Sequence, residues 1–244
     1  MNKEFGLQLY SVRDAMEADY MGTLEKVASY GYRTVEFAGY GGYSAEQLKE
    51  KLDSLGIQAI STHIGVEQFE GQALVPSMQF LKKLDCPFAM VPWYDTGSME
   101  NLQKLAEVLN TAAQVAAQYG VTVGYHNHGH DFKLIDGVSA LERLIDMTDD
   151  AVCIELDVFW AAHAGVDVAA FVEKHAARIG LLHLKQLDSE KNSVDLADGV
   201  LDMQALCKMA REKGIDRFIV EQEAYAVSSM VSAEKNAKYL QEIL

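Results

Sequence analysis

The stretch NLQKLAEVLNTAAQVAAQYGVTVGYHNH, residues 101–128, contains one whole structural unit. Leu102, Leu105, Leu109, Ala112 and Ala116 recur at steps of three or four, which places them on a single stripe of a helix. Gly120 ends that helix, because glycine takes the left-handed conformation after a C-cap without steric cost. VTVGYH follows at once, a short β-branched run that reads as a buried strand and ends in the imidazole of His126. Working outward, a glycine stands in the same place before YRTVEF (Gly31), IQAIST (Gly56) and IDRFIV (Gly214).

Extending this pattern predicts strands at 5–10, 34–38, 58–63, 88–93, 121–126, 152–157, 180–184 and 218–221. Amphipathic helices are expected at 23–30, 45–55, 76–84, 99–119, 138–147, 168–177, 203–213 and 229–243. Strict alternation of strand and helix implies a parallel sheet, and eight units favour closure, so the expected fold is a single α/β domain, a (β/α)8 TIM barrel over residues 1–244. An open doubly wound sheet is the alternative. It lacks its usual nucleotide-binding signature, since no GxGxxG follows the first strand and no Walker-type glycine loop occurs. With only three prolines and no low-complexity stretch, nothing marks a domain boundary.

The formal charge of −15 gives a surface that repels phosphate backbones and anionic lipid heads, so neither nucleic acid nor a membrane is an expected partner. The opening MNKEFGLQLYSVRD lacks the apolar core of a leader peptide and no apolar run reaches bilayer length, which makes the cytoplasm the expected location. Cys86, Cys153 and Cys207 are odd in number and set among apolar neighbours, as small core residues are, rather than as a disulfide frame or a zinc knot.

Four apolar runs, 121–126, 152–157, 179–183 and 218–221, each end in a charged or ligating group: His126, Asp157, His183 and Glu221. Any one of them alone reads equally well as a polar cap bonded to a loop. Their recurrence in four successive strands favours one divalent metal at the C-terminal mouth of the barrel, where active sites of this architecture lie. Two imidazoles and two carboxylates suit Mn, Zn, Co or Fe better than Ca. Because side chains alternate along a strand, His128, Glu155, Lys185 and Glu223 share faces with these four.

Moving a proton beside a ketone requires stabilisation of an enediolate, which a metal supplies, and a base within reach of the carbon-bound hydrogen. Glu221 is the first candidate base. Glu36, ending VEF on the second strand, is the second and is expected on the opposite rim; the alternative is a carboxylate satisfied by Arg13 or a loop amide. His63 is expected to hold a sugar hydroxyl or simply to cap its strand, and His128 and Lys185 to bind hydroxyls or an oxyanion, a structural role being the alternative for Lys185. Tyr10, Trp93, Tyr94 and Trp160 offer flat faces to a sugar ring, or plain packing. His163 is expected to border the site and His175 to be solvated, while AGYGG reads as a close-approach loop or a simple turn. Val227 and Met230 offer apolar surface for self-association into a homo-oligomer.

The strings GLQLYSVRD, VEFAGYGG, GYHNHGHDF, IELDVFWAAHAG, LLHLK and VEQE resemble the xylose-isomerase-like TIM barrels of the sugar phosphate isomerase/epimerase group. They are most similar to the branch with YHNH and ELDxxW, which includes inosose-dehydratase-like proteins. The resemblance runs in order over nearly the whole chain. It implies a divalent metal held at the ends of strands five to eight, with Asp157, His183 and Glu221 in the family's aspartate, histidine and glutamate positions. The fifth-strand ligand, often a glutamate in an ENH string, is here His126 in HNH. In the glutamate-bearing isomerases, carboxylates on opposite sides of the substrate share the proton transfer. Two further departures are Gln186 where the family has HLKD, and ADGVLD (197–202) where it has GEGxxD.

The implied function is a metal-dependent isomerase or epimerase acting on a keto-sugar or polyol carbohydrate. A phosphorylated substrate is disfavoured because no Arg/Lys cluster stands at the mouth. A lyase or dehydratase acting on an inosose or 3-keto-glycoside shares the same enolate. Abasic-site endonuclease activity, known on this fold, is disfavoured by the acidic charge. The non-catalytic alternative is a sugar-binding protein.

Overall fold

The computed structural model describes residues 5–244. Residues 1–4, the start of the segment read for a leader, lie outside the described residues. Eight parallel strands form the central sheet: β1 (Gly6–Gln8), β2 (Thr34–Phe37), β3 (Gln58–Thr62), β4 (Phe88–Val91), β5 (Thr122–His126), β6 (Cys153–Asp157), β7 (Ile179–Leu184) and β8 (Phe218–Val220). Their order is β3-β2-β1-β8-β7-β6-β5-β4. The two ends meet through a parallel bridge between His63 and Met90, with the Ile64 N–H donating to the Met90 carbonyl at 3.1 Å. The sheet therefore closes as a TIM barrel.

Among the described residues ten helices surround it: α1 (Arg13–Ala18), α2 (Tyr20–Ser29), α3 (Ala45–Leu55), α4 (Leu74–Leu84), α5 (Met99–Ala116), α6 (Ala140–Met147), α7 (Val158–His163), α8 (Val168–His175), α9 (Met203–Glu212) and α10 (Ser229–Ile243). Helix α5 buries the stripe read from the sequence, with Leu102, Leu105 and Leu109 all at 0 % exposure. Each such leucine contributes about 1.5–3 kcal/mol. A 3₁₀ turn, Ala117–Tyr119, extends α5 to Gly120, whose φ of +75° is the left-handed stop.

Short elements were not legible. Helices α1 and α7 span six residues each, too few for a periodic pattern, and two hairpins, Leu134–Ile135 with Val138–Ser139 and Gln186–Leu187 with Ser193–Val194, lie in the loops. The first hairpin takes residues 138–139 from the expected sixth helix, which starts at Ala140 instead.

Inside the barrel, Met90, Cys153, Leu181 and Ile219 form a separate apolar plug. A Cβ at Gly124 would lie 2.4 Å from the Cys153 carbonyl oxygen and 2.7 Å from the Met90 sulfur, so β5 passes this plug only with glycine. The three cysteines are buried and unbridged, as read from their spacing. Val227 is 75 % exposed, but Met230 is packed partly against the core and is not free surface. Among the described residues no helix is long and apolar enough to cross a membrane.

Candidate metal centre

Register along the barrel sets the candidate ligands side by side: Asp157 of β6 pairs with His183 of β7, and His183 with Ile219 of β8, two residues before Glu221. His126, Asp157, His183 and Glu221 are all buried, each with one ligating atom within 4.8 Å of the others. His126 Nε2 is 3.7 Å from Asp157 Oδ2 and 3.9 Å from Glu221 Oε2, and His183 Nδ1 is 3.2 Å from Glu221 Oε2.

The fixed and bare atoms divide cleanly. Asp157 Oδ1 accepts the Trp160 N–H at 3.0 Å as the N-cap of α7, while its Oδ2 is buried without a partner. His126 Nδ1 faces the Pro92 carbonyl at 3.5 Å, while its Nε2 is likewise unpartnered. A buried polar atom left unpaired costs about 1–3 kcal/mol. One divalent cation between them would satisfy both, so the donor set fits such an ion. Asn127 holds the Asp157 backbone, its Oδ1 accepting the Asp157 N–H at 3.0 Å.

Beneath these four residues lies a second polar layer. Glu36 and Glu155 are 0 % exposed. Glu36 Oε2 accepts from Gln8 Nε2 at 2.6 Å and from His183 Nε2 at 2.7 Å, and Glu155 Oε2 accepts from His63 Nε2 at 2.6 Å. Glu36 was expected across the mouth; it sits under His183, and Arg13 does not reach it. Arg13 instead covers one face of Tyr10, its guanidinium carbon 4.4 Å from the ring centroid. His63, Glu155 and His183 with His126 also form a compact group of donors. Within it His63 and Glu155 share the 2.6 Å hydrogen bond, while Glu155 Oε1 and His126 Nε2 have no hydrogen-bond partner.

Lys185 is 1 % exposed, with its ammonium 5.0 Å from the centroids of both Phe159 and Trp160. It is 3.1 Å from Glu223 and 3.9 Å from Glu221. Burial works against its charge, but Glu221, Asp157 and Glu223 outweigh burial and raise its pKa. Burial also opposes the charge on Glu221, yet Lys185 and His183 hold its carboxyl well below the usual range. His128 is pushed down to about 3, by burial first and then by His126, so its ring is neutral near pH 7.

The centre opens into a cavity of about 370 Å³. Glu221 and Glu223 line it from the β8 end, and His63, Trp93 and His126 from the ends of β3, β4 and β5 across the barrel. His128 and the 44 % exposed Tyr10 complete the wall, and Trp93 is 59 % exposed. Trp160 does not line this cavity; its ring packs 5.5 Å from that of His128. Tyr94 offers its carbonyl to His130 Nε2 at 2.9 Å. Asp131, buried, accepts from Thr96, Tyr125 and the His128 N–H, which fixes the loop that carries His128.

The remaining sequence candidates fall outside the centre. Gln186, in place of the family's acid, accepts from the Leu187 and Leu201 N–H groups and donates to the Leu196 and Leu201 carbonyls, so it builds the following loop. His163 packs beside Trp160 at a 5.6 Å ring separation. His175 is half-buried, 4.5 Å from the Phe171 ring, and not the freely solvated residue expected. AGYGG is a turn in which Gly39, Gly41 and Gly42 take positive φ, beside a second cavity at the rim. Gln8 and Glu155 were not recognised as part of the site. Glu155 carried a signal, its place two residues before Asp157; Gln8 carried none.

A closed parallel barrel with buried donors at the C-terminal ends of β5 to β8 defines the class of this protein. Residues 24–244 match the family described as xylose isomerase-like TIM barrel, and the chain belongs to that family. An inosose dehydratase from Geobacillus kaustophilus is 23 % identical over 189 residues, which covers 67 % of this chain and 61 % of that relative. A sugar phosphate isomerase/epimerase from Parabacteroides distasonis superposes with a TM-score of 0.85 at 22 % identity, covering 99 % of this chain and 96 % of that one. The IolI protein with a bound zinc atom superposes with a TM-score of 0.76 at 14 % identity over 98 % of this chain and 97 % of that one. At these identities the structural likeness is one of fold.

Proposed function

We propose that this protein is an enzyme that removes a proton beside the carbonyl of a keto-sugar or keto-cyclitol, with one divalent metal held by His126, Asp157, His183 and Glu221. The observation that carries this reading is the pair of bare buried atoms, His126 Nε2 and Asp157 Oδ2, facing Glu221 and His183 at the mouth of the barrel. A metal bound there supplies Lewis-acid polarisation of the substrate carbonyl. Glu221, at the cavity wall, is the base that takes the carbon-bound proton, and Lys185 beside it is the charged donor that returns a proton to the departing or shifting oxygen. Trp93 and Tyr10 give the ring faces, while His63 and His128 hold hydroxyls. Trp160 supports His128 and Lys185 from behind.

The mouth carboxylates, Glu221 and Glu223, both come from the β8 end, and the wall across from them carries imidazoles and Trp93. Acid–base groups gathered on one side suit loss of a β-hydroxyl from the same face, which is the dehydration named for the inosose dehydratase relatives. Isomerisation or epimerisation is the second reading, favoured by the name of the Parabacteroides distasonis structure, and it requires His126 or His63 to replace the second carboxylate. The small-molecule substrate and a cytoplasmic place of action belong to the same proposal.

The test is elemental analysis of purified wild-type protein and His183→Ala, followed by incubation with an inosose in deuterated water. About one metal per chain, lost in the variant, with deuterium incorporation and loss of water from the product, is the expected result. No metal after reconstitution with Mn, Zn and Co would overturn the enzyme and leave a sugar-binding role.

A further inference from the structure

We propose that Glu36 is the positioning residue of the metal ligand His183, and that Glu155 and His63 form the clamp that keeps it in place. This rests on the reading of His183 as a ligand. An ionised carboxylate only accepts hydrogen bonds, so the 2.7 Å contact from His183 Nε2 to Glu36 Oε2 places a hydrogen on Nε2. The other ring nitrogen, Nδ1, makes the longer of its two carboxylate hydrogen bonds, 3.2 Å to Glu221 Oε2 inside the ligand group. With the shorter contact, Glu36 thereby keeps the hydrogen on Nε2 and leaves Nδ1 as the nitrogen that gives up its hydrogen when a cation enters the ligand group. An outer carboxylate of this kind fixes the ring and raises its basicity.

Glu36 is itself held from two sides. Gln8 Nε2 donates to the same oxygen at 2.6 Å from β1, and the His63 ring nitrogen lies 3.2 Å away. His63 donates instead to Glu155 at 2.6 Å, and its ring stacks on that of His183 at 16° with centroids 5.4 Å apart. The second oxygen of Glu155 is 3.2 Å from His183 Nε2, a charge contact without hydrogen-bond alignment. The imidazole of His183 is thus oriented from below by a carboxylate and from the side by another ring.

A second cation in this lower layer is the competing explanation. Two ligands about 2.1 Å from one ion at right angles stand about 3.0 Å apart. The contacts at 2.6 and 2.7 Å are shorter than that and match charge-assisted hydrogen bonds.

The experiment measures zinc affinity by chelator competition, and zinc stoichiometry, for wild type, Glu36→Gln, Glu36→Leu and Glu155→Gln, beside the thermal midpoint of each metal-free protein. The expected result is one zinc per chain throughout, with affinity reduced about 10–100-fold in Glu36→Leu and less in the two glutamine variants. Nitrogen-15 histidine spectra of zinc-loaded wild type should show the His183 ring protonated at Nε2, a readout that holds even where Glu36→Leu does not fold. Unchanged affinity in folded Glu36 variants, a His183 ring protonated at Nδ1, or a stoichiometry of two that falls to one in Glu155→Gln would each overturn the assignment. Wild type without zinc would overturn it together with the proposed metal; wild type that binds zinc yet leaves an inosose unchanged would refute only the proposed reaction.

Discussion

Replacing Asp157 by asparagine separates two jobs that one carboxylate performs. Its Oδ1 caps α7 through the Trp160 N–H, and its Oδ2 faces the ligand group without a partner. Asparagine is as good an N-cap as aspartate, so metal-free Asp157→Asn should unfold within about 0.5 kcal/mol of wild type, whereas Asp157→Ala should lose about 1 kcal/mol. Zinc at 100 times the wild-type dissociation constant stabilises the folded chain by about 2.7 kcal/mol. If loss of the charged ligand weakens binding 100-fold, the same zinc stabilises Asp157→Asn by only about 0.4 kcal/mol. Urea unfolding with chelator and with zinc reads both quantities on the same samples. The expected gap in zinc-dependent stabilisation is about 2.3 kcal/mol. Equal zinc stabilisation in wild type and Asp157→Asn would refute the ligand assignment, and a metal-free loss as large as that of alanine would refute the division between the two oxygens.

Lys185→Met keeps a linear side chain between Phe159 and Trp160 and removes only the ammonium. Turnover of an inosose should fall about 10²–10⁴-fold with zinc stoichiometry unchanged, and wild-type turnover would remove Lys185 from the proton path. Away from the centre, Lys174 and, despite opposition from burial, Ser139 and His175 hold the Glu142 carboxyl down to about 2. A depressed carboxylate contributes stability that is present above its unfolded pKa and lost as pH falls toward the folded one, so this contribution should disappear between about pH 4.5 and 2. Denaturation across that window should show a shallower acid limb in Glu142→Gln, and identical limbs would show that α6 and α8 gain nothing from the pair.

Most of the barrel was legible because its signals are local. The bounds of α3 and α10 agree with the stripes at 45–55 and 229–243, and the end of β5 at His126 follows from a run of β-branched and aromatic residues after Gly120. Helix α7 was invisible for a physical reason: it starts directly on Asp157, at the end of β6, so the strand and the cap share a residue. Gln186 shows the opposite limit. A departure from the family string marked it as notable, yet only the folded loop shows it bonded to Leu187, Leu196 and Leu201.

The sequence by itself determined the alternation of strand and helix and the presence of His126, Asp157, His183 and Glu221 at four strand ends, since both depend on spacing along a single segment. The tertiary structure decided what lies behind those residues. Glu36 and His183 are 147 residues apart, and His63 and Glu155 are 92 apart. Their meeting requires closure at His63 and Met90 and the register shifts that leave Ile60 of β3 and Gly180 of β7 as extra residues, which set Glu36 opposite Ser61 and Asp157 opposite His183. A one-residue slip reverses the face of every side chain along a strand. Register is a property of the closed sheet, and no single segment encodes it.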